Sequence, residues 1–244
     1  MSGAAAGRTP GRPCRDPGSR TFPARPVAGS GRRGRYTVGM SAVRRYRLRS
    51  EALQRAIDAL VAEMKVPPEQ TRAFTEMLTT VLKTHEDGAA LIDLKIANAA
   101  LKELRHGFRV FAPYRHVRKV TVFGSARTAP RDPISRQARA FGRRMTDARW
   151  MVMTGAGSGV MGAAQEGAGR QWSFGLNIRL PFEQEPNPWI AGDSKLISFR
   201  YFFTRKFFLV REAHAMAFLP GGFGTWDEAF EALTLIQTGK SPAL

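Results

Sequence analysis

The chain has 244 residues, 43% of them hydrophobic, and a formal net charge of +18. That is enough for one domain of about 150 to 200 residues plus extensions. A single cysteine, Cys14, excludes an internal disulfide and a cysteine-based metal cluster, and no apolar run reaches the roughly 18 residues of a membrane span.

There is no apolar signal-peptide core near Met1, and the four histidines (His85, His106, His116, His214) lack metal-ligand spacing. The expectation is a soluble, cytoplasmic protein with no membrane partner. The charge looks like a nucleic-acid signal, but it is unevenly spread. Residues 1–50 carry 12 Arg and one acid, Asp16, for a net of +11, while the remainder nets +7. A nucleic-acid partner is therefore not the favoured reading.

Residues 1–48 form a basic tail of Gly, Pro, Ala, Ser and Arg, expected to be disordered because it has too little apolar surface to offset chain entropy. It reads as an extension ahead of a start at Met40. The competing readings are a nucleic-acid-contacting arm and a targeting peptide, and its Pro and Gly content argues against the helix of the latter.

Residues 49–107 read as a helical segment. Leu53, Ala56, Ile57, Leu60, Val61 and Met64 recur at helical spacing, and Pro67-Pro68 stops that helix. Phe74, Met77, Leu78, Val81 and Leu82 make a second stripe. Leu91, Leu94, Ala97, Leu101 and Leu104 make a third, ending near Gly107. All three are read as core stripes.

Residues 117–244 alternate between strands and helices. Strands are expected at 120–123, 150–153, 174–180 (stopped by Pro181), 195–198 and 215–219. Helices are expected at 132–148, 160–168, 202–212 and 224–237. This alternation predicts an α/β fold: a Rossmann-like parallel sheet with helices on both faces. Only Lys240 to Leu244 follow the last helix, too few for another strand and helix, so this domain is expected to be C-terminally shortened.

Ligands of such sheets bind beyond the carboxyl ends of the strands. Three strand ends carry small or polar residues: 124–127 with Ser125 and Arg127, 154–159, and 220–228. They should converge on one cleft. In GAGSGVMG, Gly155, Gly157 and Gly159 let the backbone approach a ligand, and Ser158 adds a hydroxyl at a helix start that suits phosphate. The spacing is neither the dinucleotide fingerprint nor a Walker A loop. PGGFGTWDE offers a second such helix start, with Gly221, Gly222, Gly224 and Thr225 as candidate phosphate contacts. Glu228 then lies about one turn into the helix, where an acid can serve a ligand or cap the helix. Asp227 reads as a solvated acid.

PGGFGTWDE resembles the PGGxGTxxE motif of the LONELY GUY family, the cytokinin riboside 5′-monophosphate phosphoribohydrolases once labelled lysine decarboxylases. The resemblance runs from about Val120 to the end, with FGSAR, GAGSGVMG and Thr204-Arg205-Lys206 in the expected order. Two residues depart from the family pattern. Ala156 stands where the loop usually has glycine, and Thr204 stands where the family often has an acid.

The resemblance implies hydrolysis of the N-glycosidic bond of a nucleoside 5′-monophosphate, with Arg205 and Glu228 as the catalytic pair. Ser125, Arg127 and Lys206 join the candidate substrate contacts. It implies no metal or redox cofactor. It also implies a homo-oligomer, commonly a dimer, in which Phe202, Phe203, Phe207 and Phe208 serve interface as well as core. Decarboxylation would call for pyridoxal phosphate on a lysine, and Lys195, Lys206 and Lys240 show no such setting. The alternative function is a non-catalytic carrier of a phosphorylated ligand such as molybdenum cofactor.

Overall fold

The computed structural model of the protein describes residues 46–180 and 185–240. The expected basic tail up to residue 45, the stop at Pro181 and the expected shortening at 241–244 lie outside the described residues. Residues Arg47–Leu244 group as one unit.

Three helices come first: α1 (Glu51–Glu63), α2 (Pro68–Glu86) and α3 (Leu91–Phe111). Ser50 caps α1 by accepting from the Leu53 amide at 3.3 Å. Pro68 occupies the first position of α2, where its missing N–H costs nothing. The alternating part follows as β1 (Lys119–Phe123), α4 (Pro133–Asp147), β2 (Met151–Thr154), α5 (Gly159–Ala168), β3 (Ser173–Ile178), β4 (Leu196–Phe199), α6 (Phe202–Arg211), β5 (Ala215–Phe218) and α7 (Phe223–Gln237). Asp132 caps α4, accepting from the Ile134 amide at 2.7 Å.

The five strands form one sheet in the order β4-β3-β2-β1-β5, with every pairing parallel. The chain steps outward from β1 to β4 and then returns past its start to place β5 beside β1. Every residue of β1, β2 and β3 is buried. This is the pattern of parallel strands covered on both faces.

One face packs Phe111 of α3 and Phe208 and Leu209 of α6 against Met153, Phe174, Leu176 and Phe199. The other packs Ala138 of α4 and Val160, Ala163 and Ala164 of α5 against Val120, Val122 and Val152. The fold is thus the expected Rossmann-like α/β sheet with helices on both faces. Each fully buried ring or branched chain contributes roughly 1.5–3 kcal/mol.

The helical segment differs from expectation in two ways. Gly107 does not end α3; the helix runs on to Phe111, and Gly107 is where the Phe208 ring lies against it, leaving no room for a Cβ. The apolar stripes are also only partly core. Leu48, Ile57 and Val61 form a small cluster with Val66, Phe74 and Leu78. Leu53, Leu60, Met64, Met77, Val81, Leu91 and Leu101 remain exposed. Periodicity marks an apolar face, and among the described residues little covers this one.

Candidate functional site

The three strand-end segments meet at the carboxyl edge of the sheet. The Ser125 amide donates to the Pro220 carbonyl at 3.1 Å, and the Val160 amide donates to the Ser125 carbonyl at 3.0 Å. The Ser158 hydroxyl donates to the Ala126 carbonyl at 2.8 Å. Those bonds tie the loop after β1 to the loops after β5 and β2. β1 and β5 part at this point, which is the switch in strand order where open α/β sheets bind ligands.

Gly159 takes a φ of +60°, and a Cβ there would overlap the Ser125 and Ala126 backbone. Only glycine meets both demands. Ala156 has a φ of +62° although it is not glycine. A left-handed alanine costs roughly 1–2 kcal/mol. Local bonds hold it there. Its amide donates to Thr154 Oγ1 at 3.0 Å, and its carbonyl accepts from the Asn187 amide at 2.8 Å. Asn187 is buried, and its Nδ2 reaches the Ala156 and Gly157 carbonyls at 3.1 and 2.9 Å and Gln165 Oε1 at 2.7 Å. Nothing in the sequence marks this clamp except polarity between two prolines.

Arg205, on α6, crosses this loop. Its Nε donates to the Leu176 carbonyl of β3 at 2.8 Å. Its guanidinium lies against Gly155, where a Cβ would overlap it. Glycine at 155 therefore makes room for the arginine. Burial pulls the Arg205 pKa below its ordinary value, and the Glu228 charge opposes that pull. An arginine keeps its charge under such a shift.

Glu228, on α7, is the counterpart. Burial pushes its carboxyl up from an ordinary 4.5 to about 7. Arg205 and Lys206 pull the other way, while Asp227 and Glu231 add to the rise. The α7 N-cap is Gly222, with no side-chain cap, so first-turn amides remain for a ligand. Gly221 lies against Thr225 Oγ1 and the Ser125 amide. Gly222 and Gly224 border open space.

Lys206 binds Asp227 at 2.6 Å and Glu231 at 3.0 Å, joining α6 to α7. Burial works against its charge, but the two acids outweigh it and its pKa ends above the ordinary lysine value. Asp227 is thus paired rather than simply solvated. Arg127 is exposed beside the cleft, with its amide donating to Ser125 Oγ at 3.1 Å. Ser158 and Gly159 also line a second cleft of about 200 Å³ with Thr128, Arg139 and Trp189. Among the described residues no cluster of His, Cys, Asp and Glu could hold a metal ion, and no helix is long and apolar enough to cross a membrane.

A family model described as possible lysine decarboxylase matches residues 159–243. The crystal structure of the structural-genomics target TM1055 is 26% identical, over 48% of this chain and 69% of that chain, with a TM-score of 0.39. No curated protein matches. The matched residues contain the whole PGGFGTWDE segment and both Arg205 and Glu228. Over residues 159–243 the chain is thus similar to the family described as possible lysine decarboxylase.

Proposed function

We propose that the protein hydrolyses the N-glycosidic bond of a nucleoside 5′-monophosphate, such as AMP or a cytokinin riboside monophosphate, to free base and ribose 5-phosphate. The observation that carries this reading is Glu228, a half-buried carboxyl on α7 raised to about 7, within electrostatic reach of the half-buried Arg205 on α6. The C1′–N bond breaks with its electron pair leaving on the base. The ribose then carries positive charge, which a carboxylate stabilises. A water oxygen bonds to C1′ and gives its proton to Glu228, while the departing base nitrogen takes up a proton from solvent, and Glu228 later returns its own to solvent. A base with a pKa near neutrality suits that transfer. Arg205 places the substrate, and the amides opening α5 and α7 receive its phosphate.

The test is incubation with a panel of nucleoside 5′-monophosphates and their free nucleosides, scoring released base. Cleavage of AMP but not adenosine is expected. Equal cleavage of both would sink the phosphate-binding role of the glycine loops. Tight binding without base release would make the protein a carrier.

The pH dependence follows from the same carboxyl. The working form is deprotonated, so kcat/KM rises with pH and levels off above about 7. A rate limb near 4.5, where an unperturbed glutamate titrates, would remove Glu228 from the base role.

We also infer a homo-oligomer built on α6 and α7. Phe208 is fully buried in the core, whereas Phe202, Phe203, Phe207, Trp226 and Phe230 are exposed. So large an apolar surface marks a contact face. Sedimentation should give a mass of at least two chains; a monomer at micromolar concentration would refute it.

A further inference from the structure

Helix α6, which carries Arg205, lacks a cap of its own. Its N-cap is Tyr201, with no side-chain cap hydrogen bond. A carboxylate of the helical segment instead lies beside its start. Glu103 of α3 receives the Arg200 amide on Oε1 at 2.5 Å and the Thr204 hydroxyl on Oε2 at 2.5 Å. Thr204 is buried, and its hydroxyl also lies 2.9 Å from the Tyr201 carbonyl. A carboxylate beside a helix start complements the dipole there.

One turn further along, Gly107 of α3 lies against the Phe208 ring. Phe108 meets Phe207 and Phe208 edge-on, at 6.2 and 5.4 Å. Residues 103 and 107 of α3 thus sit level with 204 and 208 of α6. The ring contacts set how close the helices lie. Apolar contacts are tolerant of sliding, whereas two short bonds to one carboxylate are not. Glu103 therefore fixes the position of α6 along its axis, one residue from Arg205.

We propose that Glu103, acting through Thr204 and the Arg200 amide, is the positioning residue for Arg205, which makes α3 part of the machinery of the site. Glu103 touches no reacting atom in this scheme. The kinetic part rests on the hydrolase reading above; the positional part does not.

The test uses the full chain with Glu103→Ala, the milder Glu103→Gln, Thr204→Val and the conservative Thr204→Ser. The first readout needs no substrate. Glu228 is faced by Arg205 and Lys206 from α6 and by Asp227 and Glu231 from α7. Only the two cations move with α6, and both hold its pKa down. Loosening α6 should therefore raise the Glu228 titration midpoint, followed by carbon-13 NMR, by about half a unit or more. Glu103→Ala and Thr204→Val should show this rise. Glu103→Gln keeps one acceptor oxygen and should shift less, and Thr204→Ser should restore the original midpoint.

The second readout is base release from AMP. Glu103→Ala and Thr204→Val should each lower kcat/KM by about tenfold or more, since small misplacements are costly in rate. The double variant should be little worse than either, as the two act through one contact. An unchanged Glu228 midpoint in folded Thr204→Val and Glu103→Gln would overturn the proposal, whatever happens to the melting temperature. No base release from any monophosphate by the unaltered protein would instead sink the hydrolase reading, and the titration would still decide the role of Glu103.

Discussion

Replacing Glu228 by Gln should lower kcat for AMP hydrolysis by at least about 100-fold while leaving the fold and nucleotide binding in place. The general-base and electrostatic contributions of one such carboxylate are each worth about 10² or more. The amide keeps the shape but neither takes a proton nor offsets the ribosyl charge. Wild-type turnover in E228Q would reduce Glu228 to a residue of the second turn of α7 and move the carrier reading ahead.

The same variant carries a stability signature of opposite sign. Folding raises the Glu228 pKa from 4.5 to about 7, so the native state binds that proton more tightly than the unfolded chain. Stability from this group is therefore highest below about 4.5, where both states are protonated. It declines as pH rises and is fully lost above about 7. E228Q should lack this slope. At pH 8 it should be more stable than the unaltered protein, on the order of 2 kcal/mol, and at pH 4 equal to it. Denaturant titrations at the two pH values check this; a variant less stable at pH 8 would show that the burial cost is not there. A gain in stability with a loss of turnover is what a strained functional group produces.

Gly167→Ala should be the most damaging small change outside the cleft. Helices α4 and α5 touch backbone to backbone. A Cβ on Gly167 would overlap the Arg139 carbonyl, and one on Gly142 would overlap the Ala164 carbonyl. Backbone atoms cannot turn aside as a side chain does, so one helix must move. The Arg139–Glu166 pair, at 2.6 Å, bridges the same contact and would be stretched. Overpacking of this kind costs about 3 kcal/mol. Displacing α5 also shifts Gly159 and Val160 against Ser125, so turnover should fall with stability. Urea unfolding is the measurement, with Gly224→Ala as the control because its Cβ would meet open space. A loss below about 0.5 kcal/mol for Gly167→Ala would show that the helices slide apart freely.

The order of elements was readable because hydrophobic runs, Pro and Gly punctuate the chain at the scale of single strands and helices. β1, α4, α5, α6 and α7 lie within two residues of where the pattern puts them. Gly107 was misread because a glycine that ends a helix and one that admits a neighbouring ring look alike in sequence. Glu228 and Thr225 were marked by the motif they share, and both lie on α7. Lys206 was read as a ligand contact, and the structure shows it bound to Asp227 and Glu231. Glu103 carried no signal at all. Its partner Thr204 is 101 positions away, and a pairing across two helices leaves no periodic trace.

The return of the chain past its own start bears on how the protein comes into being. Strands β1 to β4 are added in succession, each beside the one before, so most of the sheet is built from contacts close in sequence. β5 pairs only with β1, and Val120 meets Ala215 across almost a hundred intervening residues. Long-range pairings are the slow ones, since their loop entropy is lost before any contact rewards it. A nascent chain can thus hold a sheet and much of a core while it still lacks the carboxylate on α7. On the hydrolase reading, the candidate site is complete only once β5 and the α7 that follows it have docked.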